Sequence, residues 1–302
     1  MSRHHHHDAS DLHDRGLQFD LETLISRRNA MRSLGAVLGV AAVAAVIGCG
    51  DNSGGGSPDT SSRATNPPDP EGGASTSAAG VVDPIPTTST PASACVPTVP
   101  EETAGPFPGN GSNGPNALAQ SGIVRSDIRP SFGTSTKVAT GVPLTVKLTI
   151  VDTANGCRPL SGAAVYIWHC DQAGNYSMYS PGAINENYLR GVQAADANGV
   201  VTFTSVFPAA YAGRWPHIHF EVYPSLESAT SAQNKRATSQ LALPEDVCNA
   251  VYATPGYEQS VRNMAQTPLS RDMVFADGWD LQMATVTGNV QQGYAASLIA
   301  GV

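Results

Sequence analysis

Residues 144–151 read LTVKLTIV, and this segment decides the fold class predicted for the chain. Apolar and polar side chains alternate along it, which is typical of a β-strand with one buried face. A turn signal ending in Asn-Gly follows at residues 153–156, and a second one lies at residues 196–199. The pattern therefore predicts short strands joined by tight turns.

Further short apolar runs of this kind follow it along the chain. They lie at residues 163–169 (AAVYIWH), 200–203, 218–223, 283–286 and 295–299. No long segment has the 3.6-residue period of a helix, and the best helix candidate is short, near residues 244–252. The 302 residues include 30 glycines and 22 prolines, a composition that favours turns. We predict an all-β fold, an antiparallel β-sandwich with short helices and long loops.

The charge balance excludes one class of partner. The chain has 17 lysines and arginines against 25 aspartates and glutamates, and its formal net charge is −8. A nucleic-acid-binding surface needs a basic patch or stripe, which this composition does not provide. We therefore expect no nucleic-acid partner.

The N-terminal region has the features of an export signal. Residues 34–48 form an uncharged run of small and apolar residues that is shorter than the ~20 needed to span a bilayer as a helix. Paired arginines in residues 26–32 (SRRNAMR) resemble a twin-arginine export signal. The sequence VIGC at residues 46–49 resembles a lipoprotein cleavage site, with Cys49 as the lipidated residue. The alternative is cleavage at a small residue and a fully secreted product.

Three regions follow from this interpretation. Residues 1–48 form the signal, and residues 49–93 are a Gly/Ser/Thr/Pro-rich stretch too poor in large apolar side chains to fold. We interpret that stretch as a disordered tether for a globular domain at residues 94–302. Membrane contact would occur only through the lipid at Cys49, and the localisation would be the cell envelope or the exterior.

Four further cysteines lie in the domain, at positions 95, 157, 170 and 248. An even number in an exported chain favours disulfides, and no Cys-x-x-Cys spacing indicates a metal cluster. Three pairings are possible. We favour Cys157 with Cys170 and Cys95 with Cys248.

The histidines of the domain are His169, His217 and His219. His217 and His219 are two residues apart in an apolar segment, so in a strand both imidazoles lie on one face while Ile218 and Phe220 lie on the other. This arrangement is typical of a pair of metal ligands. His-x-His alone also fits two histidines with no metal.

Two tyrosines make the pattern specific. Tyr176 ends the segment IWHCDQAGNY at residues 167–176, and Tyr211 lies six residues before His217. Together with TAGPF at residues 103–107, these motifs resemble those of the intradiol ring-cleaving dioxygenases, which act on catechol, protocatechuate and hydroxyquinol. The resemblance implies a site for ferric iron, Fe(3+), held by Tyr176, Tyr211, His217 and His219.

The chemistry of this donor set agrees with the resemblance. Phenolate is a hard anionic ligand and imidazole a borderline one, so two of each suit Fe(III) better than Zn(II) or Ca(II). The resemblance also implies that Arg214 and Gln240 are active-site residues and that Tyr211 accepts a substrate proton. His169 is interpreted as a strand residue beside the site. The implied reaction opens a catechol-type ring with O2 between its two hydroxylated carbons and gives a muconate-type acid.

One alternative is a cell-surface β-sandwich that binds a partner, with the metal site vestigial or differently loaded. Another keeps the iron and changes the reaction. Substrate identity and oligomeric state stay open, because the side chains that face the ring cannot be assigned from the sequence. The candidates for that wall are Phe107, Ile128, Tyr188 and Trp215.

Overall fold

The computed structural model describes residues 95–302. The proposed signal, the tether and Cys49 lie outside the described residues. No helix in the described part of the chain is long and apolar enough to cross a membrane.

Strands dominate the described domain. The strands are β1 Pro143–Asp152, β2 Arg158–Pro159, β3 Ala164–Trp168, β4 Arg190–Ala194, β5 Val200–Val206, β6 His217–Tyr223, β7 Ala237–Ala242, β8 Thr285–Asn289 and β9 Gly293–Gly301. The α-helices are α1 Glu245–Tyr252 and α2 Glu258–Gln266, with short 3-10 helices at Thr153–Asn155, Ala232–Asn234 and Leu269–Arg271. The predicted all-β fold class is confirmed.

The strands form two sheets. The five-stranded sheet has the order β2-β1-β9-β8, and β5 also pairs with β1 along Pro143 to Thr149. The four-stranded sheet has the order β4-β3-β6-β7 and is antiparallel throughout. One pair differs from the antiparallel pattern: β1 and β9 run parallel, with Leu144 opposite Tyr294 and Val151 opposite Gly301.

Two apolar clusters sandwich the four-stranded sheet. The first lies between the two sheets and includes Val146, Ile167, Phe220 and Leu298. The second lies on the other face of the four-stranded sheet, under loops, and its buried members are Ala117, Leu118, Ile123, Ala164, Tyr166, Trp168, Cys170, Tyr176, Val192, Ala209, Tyr223 and Ala229. The four-stranded sheet is therefore covered on both faces.

Most of the predicted strands occur where the sequence placed them, and the short helix near residues 244–252 is α1. The strand predicted at residues 283–286 begins instead at Thr285, and Met283 forms an isolated bridge to Ala242. Strands β2, β4 and β7 and helix α2 were not predicted. Helix α2 buries Ser260, Asn263 and Met264, so its inward face is largely polar. A sequence with few apolar residues at helical spacing does not indicate a helix.

The two predicted Asn-Gly turns are present. Gly156 and Gly199 have φ angles of 71° and 76°, in the left-handed region that glycine tolerates best. A side chain at Gly199 would also place its Cβ 2.4 Å from the Ile150 carbonyl oxygen. Glycine is therefore required at Gly199 by both backbone conformation and space.

The predicted disulfide pairing is wrong. The structure joins Cys95 to Cys157, whose Cα atoms are 5.3 Å apart, while Cys170 and Cys248 are buried free thiols. The reason is that β9 lies beside β1 and holds the start of the domain there, since the Val99 amide donates to the Gly301 carbonyl. Cys170 belongs instead to the cluster beyond the four-stranded sheet, and Cys248 lies on α1 in the core between the sheets.

Candidate metal centre

The histidine pair lies on strand β6, at the centre of the four-stranded sheet. Ile218 and Phe220 belong to the core between the sheets, while His217 and His219 lie on the opposite face. Their Nε2 atoms are 3.1 Å apart, and both residues are only 2% exposed. Two ring nitrogens therefore converge on one point beneath the loops.

Each imidazole is held by its surroundings. The Nδ1 atom of His217 is hydrogen-bonded to the Trp215 carbonyl, which accepts, so the proton is on Nδ1 and the lone pair is on Nε2. The ring of His219 stacks on Trp168, its partner across β3 and β6, with centroids 4.8 Å apart. The orientation of both rings is thus fixed by the sheet and the residues just before it.

The two tyrosines reach the same point from loops. Tyr211 places its hydroxyl oxygen 3.2 Å from Nε2 of His217. The ring centroid of Tyr176 is 5.8 Å from that of Tyr211 and 6.4 Å from that of His219. The structure therefore brings together all four residues that the sequence named as metal ligands.

The two phenols differ in exposure. Tyr211 is half-buried, whereas Tyr176 is 3% exposed; the Tyr176 hydroxyl lies beside the Tyr211 side chain and has no hydrogen-bond partner of good geometry among the described residues. Buried polar atoms in native proteins usually have partners, and exceptions call for an explanation such as an absent ion. A cation bound by Tyr176 would provide that partner.

Burial determines the protonation of these donors. It lowers the pKa of His217 and of His219 well below the ordinary histidine value, and nearby Arg214 lowers both further. Burial, with a smaller effect of Tyr211, raises the pKa of Tyr176 well above the ordinary tyrosine value. The histidines are therefore neutral and ready to bind a metal, while Tyr176 needs a strong cation to lose its proton.

Conventional donors do not form a second centre. Among residues 95–302, no three histidine, cysteine, aspartate or glutamate side chains are grouped so that they could hold a metal ion. The candidate centre depends on two tyrosines together with two histidines. This donor set is unusual for zinc, which prefers cysteine and histidine, and for calcium, which binds oxygen ligands.

His169 lies close to the pair but is engaged elsewhere. Its Nε2 atom is 2.7 Å from the Ser205 hydroxyl, and its Nδ1 atom is 2.8 Å from the Cys170 carbonyl oxygen. Burial lowers its pKa to about 4, so the ring is neutral. Both ring nitrogens have protein partners, which leaves none for a metal.

Arg214 and Gln240 form a buried pair behind the histidines. The Nη2 atom of Arg214 donates to Oε1 of Gln240 at 2.6 Å, and Gln240 lies opposite His219 in the β6–β7 register. Arg214 also donates from Nε to Oδ2 of Asp272 at 2.9 Å. The sequence pointed to Arg214 and Gln240, but it gave no signal for Asp272.

Of the four wall candidates, Phe107 is the one that contacts a tyrosine of the site. Its ring is 5.0 Å from that of Tyr176, and it is half-buried. Ile128 is fully buried in the core between the sheets. The Tyr188 hydroxyl donates to Asp171, and the Trp215 indole donates to the Leu243 carbonyl.

Arg190 is a buried residue whose role the sequence did not indicate. It donates from Nη2 to the Phe107 carbonyl at 2.9 Å and from Nη1 to the Pro108 carbonyl at 2.8 Å. It also donates to the Ser177 carbonyl at 2.8 Å. One guanidinium thus fixes the segment that carries Phe107 against the segment that carries Tyr176.

Comparison with known proteins identifies relatives for part of the chain. Residues 114–248 match a family model described as Dioxygenase. A chlorocatechol 1,2-dioxygenase of Rhodococcus opacus is 28% identical over 93 residues, which cover 27% of this chain and 36% of that protein. The matched part of the chain thus spans about a third of the length of this curated relative.

Solved structures of the same kind are also similar. An intradiol ring-cleavage dioxygenase from Tetranychus urticae has 27% identity and a TM-score of 0.49, with 59% of this chain and 86% of that chain covered. The dioxygenase domain of a dioxygenase carbohydrate-binding fusion from Streptomyces sp. SirexAA-E has 22% identity and a TM-score of 0.43. The coverage there is 68% of this chain and 98% of that one.

Proposed function

We propose that this protein belongs to the intradiol ring-cleavage dioxygenases and opens catechol-type aromatic rings with O2; in support, residues 114–248 match a family model described as Dioxygenase. The cleaved bond would be the one between the two hydroxylated carbons, and both oxygen atoms of O2 would enter a muconate-type dicarboxylic acid. The observation that carries the proposal is the convergence of His217, His219, Tyr176 and Tyr211 on one buried point.

The donor set fits ferric iron. Two neutral imidazoles and two phenols provide four ligands, and ionisation of both phenols would supply two negative charges to a trivalent ion. The buried hydroxyl of Tyr176 is the atom whose environment a cation would complete. Bound Fe(III) would supply the Lewis acidity and electron affinity that make a catecholate reactive toward O2.

Tyr211 is the proposed proton acceptor. It is the more exposed of the two tyrosines, and its hydroxyl contacts Nε2 of His217 at 3.2 Å. An incoming diol would meet this phenol before it met the buried Tyr176. Tyr211 is therefore placed to take a substrate proton as the diol binds.

Arg214 is the proposed electrostatic stabiliser. Its guanidinium is 1% exposed, lies among the residues that support β6, and keeps its charge at every relevant pH. A fixed positive charge in a water-poor site stabilises negative charge that develops on a bound ring. Gln240 accepts one of its N–H groups and holds it in place.

Phe107 is the proposed wall of the ring pocket. It is half-buried against Tyr176 and carries an apolar face suited to an aromatic substrate. Its position is fixed through its own carbonyl by Arg190. Substitutions at Phe107 would therefore alter the preference for ring substituents more than they alter iron binding.

We also propose that the chain is exported. The supporting features are the paired arginines in residues 26–32, the apolar run 34–48 and Cys49 in the sequence VIGC, all of which lie outside the described residues. A twin-arginine route carries folded proteins, so iron could be bound before export. The product would be a lipoprotein anchored at Cys49 or a secreted enzyme, with residues 49–93 as a tether and residues 94–302 as the catalytic domain.

The first experiment measures iron content, the visible spectrum and catechol turnover of the purified full chain. We expect about one iron per chain, a tyrosinate-to-iron absorption band that shifts when catechol is added without oxygen, and a muconate product with O2 uptake in equal amount. The Tyr176→Phe variant removes one hydroxyl and should lose most of the iron and the band.

Two results would contradict the proposal. One is a wild-type protein that stays colourless and iron-free after incubation with Fe(III). The other is an iron-loaded, coloured protein that consumes no O2 with any catechol tested, which would leave the metal centre intact but reject the reaction. Export is tested separately, by fractionating cells that express the full chain and its Cys49→Ala variant.

A further inference from the structure

Behind the candidate centre lies a buried ion pair whose acidic member is outside residues 114–248. The Nε atom of Arg214 donates to Oδ2 of Asp272 at 2.9 Å, and the two side chains are 2% and 0% exposed. Asp272 follows the 3-10 helix Leu269–Arg271, far along the chain from β6. The C-terminal part of the domain thus supplies the counter-charge to the proposed stabiliser.

Asp272 is itself held rigidly. Its Oδ1 atom accepts hydrogen bonds from the backbone N–H groups of Val274 at 2.8 Å and Phe275 at 3.2 Å. Its Oδ2 atom accepts the backbone N–H of Trp215 at 2.7 Å in addition to Arg214. A carboxylate that accepts this many hydrogen bonds is held in one position.

The same contacts reach the start of β6. Trp215 follows Arg214, and its carbonyl accepts from Nδ1 of His217, which sets the tautomer of that imidazole. Asp272 therefore binds both the guanidinium and the backbone of the residue that orients His217.

Gln240 holds the guanidinium from the other side. It accepts from Nη2 of Arg214 at 2.6 Å and donates from Nε2 to the Thr103 carbonyl at 2.9 Å. Asp272 also approaches Nη2, with Oδ1 at 3.4 Å. The guanidinium is thus fixed between one charged and one neutral acceptor.

We propose that Asp272 is the positioning residue of Arg214: it sets where the guanidinium lies relative to His217 and His219, and it does not touch the substrate. This inference rests on the proposed dioxygenase function. It predicts that the charge and the exact reach of this carboxylate control turnover, because an electrostatic stabiliser acts only when it is aimed at the developing charge.

The test is a double-mutant cycle on the iron-loaded full chain, with Asp272→Asn, Arg214→Gln and the double variant. Asp272→Asn alone should lower kcat about 10- to 100-fold, the range for residues that support a metal site, with little change in KM or iron content. In the Arg214→Gln background, Asp272→Asn should change kcat less than about threefold, since the two act as one unit.

Asp127→Asn is the matched control. It removes the carboxylate from an ion pair of similar length, Arg129 Nη2 to Asp127 Oδ2 at 2.8 Å, in which both side chains are about 40% exposed. Its kcat should stay within about twofold of wild type. A loss of kcat from Asp272→Asn that is equal in both Arg214 backgrounds would overturn the proposal.

Asp272→Glu is a second variant that still tests the proposal if Asp272→Asn does not fold. It keeps the charge but moves the carboxylate by one methylene, so positioning predicts about a tenfold lower kcat with iron content unchanged. Wild-type kcat in Asp272→Glu would overturn the proposal. Failure of the proposed function is distinct, because the wild-type protein itself would then cleave no catechol.

Discussion

The two sheets of this domain have the same strand chemistry but different surroundings. Strand β1 of the five-stranded sheet alternates between buried and exposed or half-buried residues along most of its length, and β9 alternates in the same way. In the four-stranded sheet, β3, β6 and β7 are buried at every residue. The five-stranded sheet therefore has one face exposed to solvent. Both faces of the four-stranded sheet are covered, one of them by loops.

This difference explains where the chemistry lies. Polar side chains on the covered face of the four-stranded sheet lose their water and must find partners in the protein or in an ion. That face carries His217, His219 and Glu221 on β6 and Gln240 on β7. The same residue types on the exposed face of the five-stranded sheet would be solvated. Water would screen their electrostatic interactions, and their pKa values would stay ordinary.

The strongest test of this comparison removes a proposed iron ligand from the covered face. His219→Gln deletes one of the two converging imidazoles, and we expect loss of most of the iron and a fall in catechol turnover of more than about 100-fold, beyond the range for second-sphere changes. Metal analysis and O2 uptake measure both effects.

His169→Gln is the matched control for that prediction, since His169 is also buried but bonded to Ser205 and Cys170. It should keep its iron. If both variants lost iron equally, the centre would not be specific to the histidines of β6, and the assignment of ligands would be wrong.

Packing provides the next largest contrast. Phe220 is fully buried on β6, so Phe220→Ala should lower the free energy of unfolding by about 3–5 kcal/mol. Ile299 on β9 is 53% exposed, so Ile299→Ala should cost less than about 1 kcal/mol. Denaturant titration of both variants measures the difference, and equal costs would contradict the assignment of Phe220 to the core between the sheets and of Ile299 to the solvent face of the five-stranded sheet.

The pH dependence of stability is the most subtle test. Burial, with Asp277 nearby, raises the pKa of Glu102 from 4.5 to about 7, while Arg214 and a hydrogen bond from Gln282 act in the opposite direction. A raised pKa in the folded state gives stability that is fully present below pH 4.5 and is lost as the pH rises to about 7, because the unfolded chain loses its proton first.

Glu102→Gln removes this titration. Between pH 4.5 and 8, wild type should lose of the order of 3 kcal/mol more unfolding free energy than the variant. Urea titrations at several pH values measure the two slopes. Parallel slopes would mean that the Glu102 carboxyl ionises as readily in the folded protein as in the unfolded one.

The sequence predicted the parts of this domain that depend on local pattern. Alternation located β1 and β9, and two histidines two residues apart on an apolar segment located the site on β6. The resemblance to a known family added the tyrosines, which periodicity alone could not separate from the other seven of the nine in the chain. The structure brings all four residues together.

Features that depend on long-range neighbours were not predictable. The partner of Cys157 is set by how β9 lies beside β1, which brings the first described residues to the turn after β1. Asp272 has no local signal either, because it lies outside any strand or helix and its partners in the site, Arg214 and Trp215, are 58 and 57 residues away. A buried polar contact of this kind leaves no period in the sequence.

The parallel pair β1–β9 has a consequence for how quickly the domain forms. Leu144 and Tyr294 are 150 positions apart, and β9 lies between β1 and β8 within the sheet. Closing so long a loop costs entropy before any contact compensates it, and topologies dominated by such pairings fold slowly. The five-stranded sheet therefore cannot be completed until strand β9 has left the ribosome, long after β1 has done so.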